Sequence, residues 1–133
     1  MKTRTTSTFA ALMVAALLAL TATFAAAQLD ELKDTTPKER AAAQTLFMKR
    51  KLNLTAEQLP KVEAINLKHA EQMEPVIKGD SGPLMKMRAM KESNSEKGAE
   101  LQNVLTPEQF SQYQASQDEM KQKVIEELKN RKK

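Results

Sequence analysis

The chain contains no cysteine and no tryptophan. Without cysteine there is no disulfide, no thiolate nucleophile and no site for a lipid-bearing N-terminal cysteine. Only three glycines occur, and they form no loop that could cradle a phosphate. A single histidine, His69, offers zinc or copper poor support when no cysteine stands beside it. Aromatic residues are scarce: beyond residue 27 only Phe47, Phe110 and Tyr113 remain. Any core must therefore rest on aliphatic and methionine side chains. Strand-like alternation is missing, so nothing argues for a sheet. Neither sign of charge dominates, with 21 basic against 17 acidic residues. The one basic block, Lys129 to Lys133, suits the negative end of a helix better than a nucleic acid.

What is present begins with an export signal. Lys2 and Arg4 precede an uncharged run of 12 residues, Phe9 to Leu20. A bilayer span needs roughly 20 such residues, so the run is too short for an anchor. Small residues follow, with Ala25 and Ala27 placed for a signal peptidase that cuts before Gln28. No twin arginine points to the Tat route. Residues 1–27 are therefore expected to be a cleavable, Sec-type signal peptide. Removing 27 of 133 residues leaves 106, enough for one domain. Residues 28–35 read as a polar, flexible tail, and residues 36–133 as a single helical domain.

That domain reads as all-α, with about four helices in an elongated antiparallel hairpin or bundle. Thr36-Pro37-Lys38-Glu39 supplies a capping threonine, a proline at the first helical position and a glutamate at the third. Leu54-Thr55-Ala56-Glu57-Gln58-Leu59 is a fuller start. Thr55 can accept from the N–H of Gln58 while Gln58 reaches back to the N–H of Thr55, and Leu54 and Leu59 stand where a hydrophobic staple closes. Leu105-Thr106-Pro107-Glu108-Gln109-Phe110 repeats the same grammar 51 residues later. Downstream of the first copy, Leu59, Val62, Asn66, His69 and Met73 step by three or four residues. Downstream of the second, Phe110, Tyr113, Gln117, Met120, Val124 and Leu128 do the same. Pro75 is expected to kink or end the second helix near Glu74. Lys78 to Pro83 reads as a short loop, which makes the helices on either side antiparallel neighbours.

No constellation for catalysis stands out, and no enzyme, cofactor or metal site is expected. His69 sits on an apolar stripe, where a packed structural histidine is the simpler reading. The segment with the best claim to bind a partner is Leu84 to Lys91. Met85, Met87 and Met90 are adaptable apolar groups, and Lys86 and Arg88 add long-range attraction. The alternative is that Met87 and Met90 simply fill gaps in the core. On helical spacing Met87, Met90 and Leu101 share one stripe, Met85 and Arg88 lie nearer its flank, and Lys86 points elsewhere.

At Leu54-Thr55-Ala56-Glu57-Gln58 and Leu105-Thr106-Pro107-Glu108-Gln109 the chain resembles the Spy/CpxP-like periplasmic family, named for paired LTxxQ motifs. The resemblance covers roughly Thr36 to Leu128. It implies a periplasmic helical protein, often a cradle-shaped homodimer, that holds unfolded or partly folded clients without ATP. It also brings in the alternative of a regulator docking on the sensor domain of an envelope-stress kinase. A metal-binding branch of the family is rich in histidine, and this chain departs from it. Residues Leu54, Thr55, Gln58, Leu59, Leu105, Thr106, Gln109 and Phe110 are assigned to helix capping and stapling. Met85, Lys86, Met87, Arg88 and Met90 are the candidates for client contact.

Overall fold

Helices begin where a side chain can satisfy the free N–H groups of a first turn. The computed structural model describes residues 27–133 and contains five helices after a helical turn at 27–30, three of them opened by capping threonines, Thr36, Thr55 and Thr106. The helices are α1 (Pro37–Leu52), α2 (Gln58–Lys78), α3 (Pro83–Gln102), α4 (Pro107–Ala115) and α5 (Gln117–Arg131). No strand occurs among the described residues. The expected signal peptide lies outside them, apart from residue 27. Among the described residues no helix is long and apolar enough to cross a membrane.

Thr36 opens α1 with a complete capping box: its Oγ1 accepts from the Glu39 N–H at 3.2 Å, and the Glu39 carboxylate accepts from the Thr36 N–H at 2.8 Å. The helix ends at Asn53, which takes the left-handed conformation (φ 51°, ψ 54°) and donates its N–H to Lys49. Asparagine tolerates this region better than most residues, so the chain turns there without a glycine.

Helices α1, α2 and α3 form an antiparallel series, with α2 packed along both neighbours. Helix α5 returns to lie against α1, and α4 touches α1, α3 and α5. The core at their meeting is aliphatic and methionine-based, with Met48, Leu52, Val62, Leu101, Met120, Val124 and Leu128 buried around Tyr113. Both apolar stripes read from the sequence face this core: Val62, Asn66 and His69 are buried on α2, and Tyr113, Met120, Val124 and Leu128 on α4 and α5.

Three expectations are corrected. The fourth helical segment is two helices, because Ser116 interrupts it with φ −101° and ψ 10°. Its hydroxyl donates to the carbonyls of Gln112 (2.7 Å) and Tyr113 (3.2 Å), which competes with the regular ladder and lets the chain bend. Of the two outcomes expected at Pro75, a kink or an end, the end does not occur: helix α2 runs through Pro75 to Lys78. The proline ring lies on the exposed side, where it removes one backbone bond, and continuing the helix buries Ile77. Residues 28–35, expected to be a flexible tail, pack on the domain instead. Leu29 is 5% exposed, and Asp30, Glu31 and Asp34 form ion pairs with Lys86, Lys129 and Lys132.

Arginine 40 fixes this segment to the helices. Its guanidinium is buried and donates to the Thr35 carbonyl (2.7 Å), the Thr35 hydroxyl (3.1 Å) and the Ala70 carbonyl (3.4 Å), and it pairs with Glu74. A planar group with several fixed donors can serve all these acceptors at once, which makes its burial tolerable.

Candidate functional site

The two L-T-x-E-Q elements meet. In the first, the Gln58 N–H donates to Thr55 Oγ1 at 3.2 Å and the Thr55 N–H donates to Gln58 Oε1 at 3.0 Å. The second repeats those distances between Thr106 and Gln109. Regular α2 geometry starts at Gln58, yet the Leu59 N–H already donates to the Thr55 carbonyl, so Thr55 acts as the cap. Each glutamine has then used its oxygen locally and keeps its NH₂ group free to donate.

Those NH₂ groups cross between the motifs. Gln58 Nε2 donates to Gln109 Oε1 (2.7 Å) and to the Val104 carbonyl (3.1 Å). Gln109 Nε2 donates to Gln58 Oε1 (3.0 Å) and to the Leu52 carbonyl (3.1 Å). Each amide therefore caps its own helix, binds the other amide and satisfies a carbonyl just upstream of the other motif. The apolar members stand around this clasp. Leu105 belongs to the core, Leu54 and Phe110 pack against it, and Leu59 lines a shallow groove between α1 and α2 with Leu46 and Leu67.

The methionine-rich start of α3 divides differently from the sequence expectation. Met85 is 59% exposed and Leu84 is 50% exposed, and Arg88 is exposed as well. Met87 and Met90 are half-buried. Lys86, expected to point outward, is buried, with its ammonium 3.5 Å from Asp30. The folded 28–35 segment brings the Asp30 carboxylate to the lysine tip. Lys86 is thus withdrawn from the client-contact candidates.

The inner stripe of α3 continues from Lys86 to Lys97 and Leu101. Lys97 is 4% exposed, and its Nζ donates to Gln44 Oε1 across the helices at 2.6 Å. No carboxylate lies within ion-pair reach of it among the described residues, and burial pushes its pKa down from 10.5 to about 8. Sequence patterning missed Arg40, Lys86 and Lys97 alike, because charged residues on a helix are by default assigned to solvent.

His69 is buried beside α3. Its Nε2 lies 3.0 Å from Glu100 Oε1 and its Nδ1 lies 3.4 Å from the Ser93 hydroxyl. A carboxylate can only accept, so Nε2 carries a proton and donates to Glu100. Lys68 also donates to Glu100 at 2.7 Å, and Lys68 first, then His69, holds the Glu100 carboxyl below the usual carboxylate range. These contacts join α2 to α3. No group of three or more His, Cys, Asp or Glu among the described residues is arranged to hold a metal ion.

Residues 26–113 match the family model described as Domain of unknown function (DUF4890). The chain belongs to the DUF4890 family. The DUF4890 match spans both L-T-x-E-Q elements and stops at Tyr113, so the clasp lies inside it and α5 outside. No curated protein and no solved structure matches the chain.

Proposed function

We propose that this DUF4890 protein is a Spy/CpxP-like, periplasmic, ATP-independent chaperone-like protein of the envelope stress response. On this reading it binds unfolded or partly folded proteins and is not an enzyme. One observation carries the likeness: two LTxxQ-type starts, distant in sequence, interlock through Gln58 and Gln109 into a single clasp. The clasp ties the ends of helical hairpins and leaves long helix surfaces free to meet a client. Exposed Leu84 and Met85 at the start of α3 supply apolar contact, with Arg88 adding attraction at a distance.

The test is light scattering from two unrelated aggregating proteins. Suppression of both at near-stoichiometric ratio, without nucleotide, is the expected result. No suppression of either would refute the reading. The second reading, a regulator docking on the sensor domain of an envelope-stress kinase, is favoured by the compactness of the exposed apolar surface. Among the described residues, Leu84 and Met85 are the exposed large hydrophobic side chains, and they are neighbours. A regulator would bind one partner and leave both aggregating proteins unprotected.

A further inference from the structure

A broad groove of about 780 Å³ runs between the C-terminal half of α3 and the α4–α5 corner, on a side of α3 away from its buried stripe. Lys91 on α3 and Lys121 on α5 contribute its charges, and no carboxylate belongs to its lining. Lys91 has no ion-pair partner among the described residues, while Lys121 has only a distant one, Asp118 at 3.9 Å. Between the lysines the wall is mostly amide, from Asn94 and Gln102 on one side and Gln114 and Gln117 on the other.

Gly98 forms part of this lining and has no other explanation in the fold. It sits inside α3, where glycine weakens a helix relative to alanine. Its φ is not positive, so the backbone does not require glycine there. A Cβ built on it would meet nothing within 4 Å, so no neighbour forbids a side chain. What lies in front of it is the groove, and the missing side chain keeps that wall low. At the other wall Phe110 and Tyr113 stack with centroids 6.1 Å apart. The Tyr113 hydroxyl is buried without completing a hydrogen bond.

We propose that this groove binds an extended, acidic peptide segment of a client. Lys91 and Lys121 would take its carboxylates, the side-chain amides would donate to and accept from its backbone, and Phe110 would pack against an apolar side chain. Amides carry both donor and acceptor, which matches the peptide unit. An acidic sugar chain is the poorer fit. Its hydroxyls are best held by ionised acceptors, and the groove has none. The inference rests on the client-binding reading and names the client feature recognised.

The experiment is fluorescence anisotropy on the full mature chain, with a short labelled peptide rich in Asp and Glu and containing Phe. A partner peptide carries Lys in place of each acid, and polygalacturonate serves as the sugar probe. The acidic peptide is expected to bind at least about tenfold more tightly than the basic one, with the preference shrinking as salt rises. Gly98→Leu fills open space and should abolish binding while melting no lower than the parent. Lys91→Glu combined with Lys121→Glu should remove the charge preference. Amide shifts of the parent chain on titration with the acidic peptide should cluster at residues 91–102 and 110–121, which tests the site without any variant. Equal affinity for both peptides, full binding by Gly98→Leu, shifts elsewhere, or competition won by polygalacturonate would each overturn the assignment. Aggregation assays on the same samples separate the two ideas. Suppression without peptide binding sinks the groove alone, and peptide binding without suppression sinks the chaperone reading alone.

Discussion

Replacing Gln58 and Gln109 by alanine, singly and together, measures how strongly the two motifs are joined. Gln58→Ala deletes the acceptor for the Thr55 N–H, the donor to Val104, and both bonds shared with Gln109. Gln109→Ala deletes the mirror set, with the Thr106 N–H and the Leu52 carbonyl in place of Thr55 and Val104. At about 1 kcal/mol for each hydrogen bond, reduced for partial exposure, each single change should cost about 2–3 kcal/mol. The two amide–amide bonds are lost in both singles but only once in the double variant. The double should therefore be less destabilised than the sum of the singles, by about 1–2 kcal/mol. Gln58→Glu sharpens the test, since a carboxylate keeps the local cap but cannot donate across the clasp. It keeps the two accepted bonds, from the Thr55 N–H and Gln109 Nε2, and loses the two donated ones, so it should lose about half of what alanine loses. Urea unfolding followed by circular dichroism at several protein concentrations supplies the free energies and checks that association does not contribute. Additivity within about 0.5 kcal/mol would show that the motifs act independently.

Lys97→Met should stabilise the protein at neutral pH. A lysine whose pKa falls from 10.5 to about 8 on folding weakens the folded state by about 3 kcal/mol at pH 7, less the value of its bond to Gln44. The unfolded chain holds the extra proton between those two values, so parent stability should rise from pH 8 to pH 10.5, and that rise should vanish in Lys97→Met. Unfolding curves across this range decide it; a destabilised variant, or an unchanged alkaline slope, refutes the account. Met85→Ser should leave the melting temperature unaltered and weaken client holding, whereas Lys86→Glu should lower the melting temperature by placing two carboxylates together at Asp30. The opposite ranking in paired melts and binding assays would return Lys86 to the working surface. Acid should destabilise the fold through Glu74, whose carboxyl is held low by its bond to Lys78 and then by Arg40. A depressed carboxyl contributes above its unfolded value of 4.5, and the contribution is lost as pH falls through the lower folded value. Glu74→Gln should flatten the stability curve below pH 4.5, and an unchanged curve would exclude the pair as a cause.

Local grammar was legible because it is written in consecutive residues. Thr36, Thr55 and Thr106, each followed three residues later by Glu or Gln, announce their helices, and period-3.6 stripes announce the buried faces of α2, α4 and α5. The hairpin turn at Gly79 to Gly82 was legible for the same reason. What stayed hidden depends on the third dimension. A glutamine that caps its own helix gives no sign in sequence that its NH₂ group reaches another motif. Lys86 read as a client contact and Lys97 as part of a polar stretch, until Asp30 and Gln44 arrive from other elements. Pro75 read as a kink or a stop, and the continuation past it was hidden because the benefit of burying Ile77 is tertiary. The break at Ser116 was obscured by a stripe that continues smoothly on both sides of the bend.

The packing of α1 against α5 also sets the order of events during synthesis. Residues 37–52 leave the ribosome well before residues 117–131, and the buried side of α1 has part of its cover in that last helix. Part of the 28–35 segment waits as long: Arg40 and Lys86 can hold Thr35 and Asp30 earlier, but Glu31 and Asp34 pair with Lys129 and Lys132. A hairpin of α1 and α2 can form early from neighbouring contacts, but Met48 and Leu52 stay partly uncovered until residues 117–131 have emerged. For that interval the newborn protein displays an apolar face of its own, and it depends on the same kind of protection that it is proposed to give to others.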